Sequence, residues 1–234
     1  MNLLAIESSA MAASAAVWGD GALHAEAFHC TRLTHSQTLL PMIADMLHNA
    51  RLTIDDIDAF AVAAGPGSFT GIRIGVAVVK GLAMGRGKPC VPVSTLEAMA
   101  YLTVGAPAPV YVCAVMDARC GQVYNALFRT DRDGVHRLCP DRAVSIDALA
   151  AELAVHRQVW TLVGDGAPLC ADRWAGNANV RLASPLVRMQ RAGAVAMAAA
   201  DALARGESVS DAALVPLYLR PPQAEREWNA RHGG

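Results

Sequence analysis

The sequence predicts an α/β protein made of two similar lobes. Each half opens with an apolar strand and a hairpin, then reads strand, helix, strand, helix in the same order. Apolar residues make up 53% of the 234 and charged residues 18%, enough for one or two domain cores at about 150 residues per domain. The run Gly105–Pro109, "GAPAP", breaks the pattern between the halves. The expected division is therefore 1–105 for the first lobe and 106–234 for the second.

In the first half, "LLAIES" (Leu3–Ser8) is a short buried strand and "SAAVW" (Ser14–Trp18) a second. "GDG" at Gly19–Gly21 is a hairpin turn, because Gly and Asp accept positive φ. "LHAEAFH" (Leu23–His29) alternates and closes a three-strand meander. "HSQTLLPMIADMLHNA" carries Leu39, Leu40, Ile43, Met46 and Leu47 at helical spacing, with Pro41 expected near the first turn. "AFAVAA" (Ala59–Ala64) is a continuous apolar strand. A helix from Thr70 to about Gly85 follows, then "PCVPV" as a strand, then "STLEAMAYL" as a helix capped by Ser94 or Thr95.

In the second half, "VYVCAVMD" (Val110–Asp117) and "QVYNALFR" (Gln122–Arg129) are strands joined by a turn. A weaker strand lies near Val135–Leu138 and a helix around Asp147–Val155. "VWTLVG" (Val159–Gly164) is a strand followed by the turn "GDGA", and Arg188–Arg205 is a long Ala-rich helix.

The net charge is −1 with no basic tract, so nothing advertises nucleic acid. The six cysteines have no C-x-x-C pair and read as reduced thiols. No signal peptide or membrane span is expected, which points to a cytoplasmic protein.

"AAGPGSFTGIRIGVAVVKGLA" (Ala63–Ala83) looks like a phosphate loop. It lacks the G-K-[ST] ending of a Walker A loop. Its spacing is G-x-G-x-x-x-G, and no acidic residue occurs between Asp58 and Glu97, so it is not a dinucleotide fingerprint either. Two readings remain: an anion held by free N–H groups at a helix start, or a tight turn capped by Ser68 or Thr70. Gly71 and Gly75 lie one turn apart, where another backbone can approach closely.

"GPGSFTGIRIG", joined to "LLAIESS" and "HSQTLLP", resembles the bacterial TsaB (YeaZ) family. "MDARCGQVY" at Met116–Tyr124 and "PLYLR" at Pro216–Arg220 are similar to further segments of that family. The resemblance implies a duplicated actin/hexokinase-like fold. It also implies a non-catalytic, dimerising subunit that works with a TsaD-like paralogue and a TsaE-like ATPase. Together these place a threonylcarbamoyl group on the tRNA adenosine beside the anticodon. ATP and metal are expected on the partner subunits, with tRNA reached only through the complex and a homodimer forming when the chain is alone.

The residues fit that division of labour. TsaD-like proteins carry S-H-x-E-x-H, with both histidines on the metal. "STLEAM" keeps Ser94 and Glu97 but puts Thr95 and Met99 in the histidine positions; neither replaces imidazole for a hard or borderline cation. No H-E-x-x-H occurs, which leaves no metallopeptidase motif. Glu7, Ser8 and Ser9 resemble the phosphate hairpin of actin-like kinases, with Asp117 the other candidate acid. In Gly164-Asp165-Gly166, Asp165 crowds the place where a nucleotide base would lie on bare backbone. A small-molecule kinase is the alternative reading, and it is disfavoured on this ground.

Two helices carry broad apolar faces, Leu39, Met42, Ile43 and Met46 on the first and Gly71, Ile72, Gly75, Val76 and Val79 on the second. They face either their own sheet or a partner. The expectation drawn from the resemblance is a partner interface.

Overall fold

The computed structural model describes residues 1–31 and 33–220. The first half contains strands β1 (Asn2–Glu7), β2 (Ala13–Gly19), β3 (Ala22–His29), β4 (Ala59–Gly65) and β5 (Cys90–Ser94). Its helices are α1 (His35–Asn49), α2 (Phe69–Ala83) and α3 (Thr95–Tyr101). The second half contains β6 (Val110–Asp117), β7 (Gln122–Thr130), β8 (Val135–Arg137), β9 (Arg142–Ser145), β10 (Trp160–Val163) and β11 (Val180–Leu182). Its helices are α4 (Ile146–Ala154), α5 (Ala167–Arg173) and α6 (Ala192–Ala204).

The first sheet runs β3-β2-β1-β4-β5 and the second runs β8-β7-β6-β10-β11, with β9 also paired to β7. With β9 set aside, both orders are the same when each lobe is numbered from its own first strand: third, second, first, fourth, fifth. The first two pairings in each lobe are antiparallel and the last two parallel. This is the duplicated, two-lobed α/β architecture that the element order predicted.

The two strands not expected from the sequence, β9 and β11, are short and carry Arg142 and Arg181. Pro41 lies in the second turn of α1 rather than the first. Its ring removes the N–H that would bond Gln37, on a face where Leu40 and Pro41 are exposed.

The layering differs from a simple division at residue 105. α1 and α2 cover one face of the first sheet, where Leu39, Met46, Ile72 and Val79 meet Leu4, Ile6, Phe60 and Val62. The other face is covered by α6, through Val195, Ala199 and Ala202 against Leu3, Ala5 and Val91. α6 belongs to the second half of the chain but packs on the first sheet. The tail beyond it stays there: Cys90 and Val209 exchange two backbone hydrogen bonds, and Leu214 is buried in the first lobe's core. Conversely, α3 turns mainly to the second sheet, placing Leu96, Met99 and Ala100 against Val112, Ala114 and Phe128, while its Ala98 and Tyr101 stay in the first sheet's cluster. α4 and α5 cover that sheet's other face with Ile146, Leu149, Leu153 and Cys170. The lobes thus exchange their closing helices. The expected assignment of 106–234 to one lobe fails for α6 and the tail; residues 221–234 lie outside the described residues.

The expected partner interface is also corrected. Leu39, Met42, Ile43, Met46, Ile72, Val76 and Val79 are core residues of the first lobe, and Gly71 and Gly75 are buried with them. Helical spacing shows which face of a helix is apolar. Here that face turns to the chain's own sheet, the largest apolar surface within reach.

Candidate functional site

The strand ends of the two sheets meet at a cleft of about 660 Å³. One wall is the glycine loop after β4 and the start of α2, and the other is the end of β6 with the turn after β10. The β1–β2 turn forms the floor. The site residues expected from the hairpin, Glu7, Ser8 and Ser9, are all buried there.

The glycines hold the floor to its wall. A Cβ at Gly71 would lie 2.1 Å from the Ser8 carbonyl oxygen, and one at Gly75 2.5 Å from the Ser8 Oγ. At Gly67 it would lie 2.5 Å from the Ser9 carbonyl oxygen. The close backbone approach read from the sequence is therefore real, and the approaching backbone is this chain's own turn. Ser68 N donates to the Ser9 carbonyl at 2.7 Å, and Ser8 Oγ donates to the Gly71 carbonyl at 2.9 Å. Ser68 caps α2 by accepting from Gly71 N. The loop is a capped turn, and its glycines serve packing.

The second-lobe wall is built in the same way. Gly164 has φ +103°, and a Cβ there would lie 2.0 Å from the Val115 carbonyl oxygen. At Gly166 it would lie 2.9 Å from the Met116 carbonyl carbon. The bare faces of Gly164 and Gly166, read as a bed for a nucleotide base, are occupied by the chain's own β6. Asp165 accepts from Gln190 Nε2 at 3.0 Å. Burial, the largest influence, raises its carboxyl above the usual range, and the nearby Asp117 adds to the rise. Asp117 lines the cleft and pairs with the largely exposed Arg119 at 3.3 Å.

Glu7 is the most perturbed carboxyl of the floor. Its Oε1 accepts from Ser9 N, while Oε2 is buried with no protein partner. Burial pushes its pKa up to about 7 against the pull of the Ser9 hydrogen bonds, with Asp165 contributing in the same direction. The glycine, carboxyl and serine positions expected from the sequence are thus brought together. Gln190 had no sequence signal, because it precedes α6, far along the chain from the rest.

Thr95 and Met99 are both buried, and the Met99 sulfur would lie 3.0 Å from a Gly164 Cβ. Thr95 Oγ1 is buried without a partner. Among the described residues, no three His, Cys, Asp or Glu side chains are grouped to hold a metal ion, and no helix is long and apolar enough to cross a membrane. All six cysteines are free thiols.

The tail closes one side of the mouth. Leu217 N donates to the Ala64 carbonyl at 2.7 Å. Tyr218 stacks on Phe69 at 5.0 Å and accepts from Arg73 Nε at 2.8 Å. Lys80 anchors the approach by donating to the Ala212 and Leu214 carbonyls.

This geometry has counterparts among known proteins. The family model of TsaD, described as tRNA N6-adenosine threonylcarbamoyltransferase, matches residues 30–228. The tRNA threonylcarbamoyladenosine biosynthesis protein TsaB of Escherichia coli is 34% identical, covering 94% of this chain and 95% of its own length. That of Bacillus subtilis is 32% identical over 62% of this chain and 63% of its own. Among solved structures, a Pseudomonas aeruginosa protein described as similar to peptidase YeaZ superposes with a TM-score of 0.81 at 29% identity, covering 94% of this chain and 99% of that one. Two of these matches cover nearly the whole chain, and the chain belongs to the TsaB (YeaZ) family.

Proposed function

We propose that this chain is a non-catalytic scaffold subunit in the formation of tRNA threonylcarbamoyladenosine. Its partners are a TsaD-like paralogue and a TsaE-like ATPase, which bind the ATP and the metal. It forms a homodimer when alone and meets tRNA only through the complex. One observation carries the reading: the helix that holds the metal histidines in TsaD-like proteins has Thr95 and Met99 at those positions, buried against the second lobe. A thioether packed in a core and a lone hydroxyl offer no hard-cation site.

The partner surface moves to the outward faces of α1 and α2. Leu40 is 50% exposed, and Pro41, Ala44, Ala77 and Gly81 are exposed beside it on the two helices. Gly81 lies in the last turn of α2, with nothing within 4 Å of its Cβ position. No intramolecular contact requires it, and its place suits close approach by another helix. One self-complementary face would serve the homodimer and the paralogue in turn, which makes the two assemblies exclusive.

The test is a reconstituted modification reaction with tRNA, ATP and the two partner proteins. Leaving out this chain should stop modification, and Leu40→Glu should stop it too while the isolated chain stays folded. Modification by this chain alone, or full activity and co-elution with the paralogue by folded Leu40→Glu, would overturn the proposal.

A further inference from the structure

Beyond α6 the chain returns across the first lobe as a tail whose side chains alternate. Leu214 is buried in the core and Tyr218 stacks on Phe69. Val215, Leu217 and Leu219 are 58%, 44% and 39% exposed. A period of two is that of an extended segment with one face docked. The seat for this segment is specific. Leu217 N donates to the Ala64 carbonyl at 2.7 Å. A Cβ at Gly65, where φ is +132°, would lie 2.2 Å from the Leu217 carbonyl oxygen, so the tail backbone lies where only glycine admits it.

What the docked tail holds is charge. α2 carries two charged residues, Arg73 and Lys80. They are two turns apart and so lie on one side of the helix. Among the described residues, the tail supplies their hydrogen-bond acceptors. Tyr218 Oη accepts from Arg73 Nε at 2.8 Å. The Ala212 and Leu214 carbonyls accept from Lys80 Nζ at 2.9 and 3.0 Å. The Arg73 guanidinium also lies 3.9 Å from the centroid of the Phe69 ring. Ala77 sits between the two cations along the helix and Gly81 follows Lys80, and both small residues are exposed.

We propose that the tail is a charge mask that readies the outward face of α2 for a second copy of this chain. Docked, it draws Arg73 and Lys80 to the flank of the helix and satisfies them, which leaves Ala77 and Gly81 to be covered. Undocked, it leaves two unpaired cations at the rim of that contact. The inference rests on the α1–α2 partner face proposed above and adds a condition for its use: the tail must be seated first.

The physical reason is desolvation. Covering a guanidinium or ammonium that has no partner removes its water and returns nothing. The tail carbonyls, the phenol oxygen and the Phe69 ring face have already replaced part of that water before another chain arrives. A second copy is the occupant that needs the mask most. An isologous contact sets each surface against itself, so two unmasked copies would bring like charges together.

Sedimentation equilibrium of the full chain tests this, with circular dichroism to confirm that each variant is folded. Tyr218→Ala, which frees Arg73, should weaken the dimer about tenfold. Tyr218→Phe, which keeps the stacked ring and removes only the acceptor, should weaken it in the same direction. Adding Arg73→Met to Tyr218→Ala should restore the dimer, because the freed cation is gone. Arg73→Met alone loses the same anchor and should dimerise as wild type does. Leu40→Glu separates the two ways of failing. A monomeric wild type, or a folded Leu40→Glu that still dimerises, would overturn the partner face and this inference with it. A monomeric Leu40→Glu beside a Tyr218→Ala that dimerises like wild type would overturn the mask alone. So would a loss in Tyr218→Ala that Arg73→Met does not restore, because the tail would then be touching the second copy itself.

Discussion

Replacing Gly71 by alanine would set a methyl carbon 2.1 Å from the Ser8 carbonyl oxygen. That contact is backbone against backbone, and no rotamer change relieves it. We expect Gly71→Ala to lose on the order of 3 kcal/mol of stability in urea unfolding. An unchanged midpoint would mean that the β1–β2 turn is not pinned as described. The residue scale is also where sequence reading divides. The need for close approach at Gly71 and Gly75 was legible from their one-turn spacing and lack of side chains. What approaches was not, because the Ser8 turn comes from 63 residues away. Glu7 stood out as a carboxylate in a small-residue hairpin. Its burial follows from its place in the strand Leu3–Ser8, but the like charge of Asp165 that adds to its raised pKa could not be read, because Asp165 comes near only through the fold. Met42 and Met46 were legible as apolar and were assigned the wrong neighbour.

At the scale of the element, α2 shows two kinds of glycine. Gly71 and Gly75 are buried against the β1–β2 turn, and Gly81 is exposed with open space around it. Gly81→Ala, in the last turn of α2, should therefore raise the stability of the isolated chain by about 0.5 kcal/mol, a gain in helix propensity reduced by its place near the helix end. A loss in the monomer would mean that Gly81 makes a close internal contact. The long helices and the central strands were legible because each supplies a long periodic or continuous apolar signal. β9 and β11 were not, since each is too short to show alternation and each carries an arginine. Such strands exist because a neighbouring strand already offers free N–H and C=O groups, a property of the sheet and not of the segment.

For the whole molecule, the duplication was legible in the repeated order of elements. The exchange of closing helices was not. Element order along a chain does not say which sheet a helix covers, and the Ala-rich face of α6 fits either one. The exchange gives a sharp expectation: a chain ending at Val187 should fail to fold in its first lobe as well as its second. It would strip α6 from Leu3, Ala5 and Val91 and remove Val209 and Leu214 from the rest of that lobe. Circular dichroism and one-dimensional NMR would check this, and a native-like spectrum from residues 1–187 would refute it.

The same exchange bears on how the protein is made. Synthesis runs from the N-terminus, so both central strands of the first sheet, β1 and β4, leave the ribosome long before α6 does. One face of that sheet must wait, bare, until more than a hundred further residues have been added. The nascent first lobe is thus a sticky intermediate by design of its topology, without any defect of sequence, and it cannot fold as an independent unit ahead of the second. A cell that slows translation across the second half prolongs that exposure, so the yield of active protein should depend on chaperones that shield apolar β-sheet more than on the stability of the finished molecule.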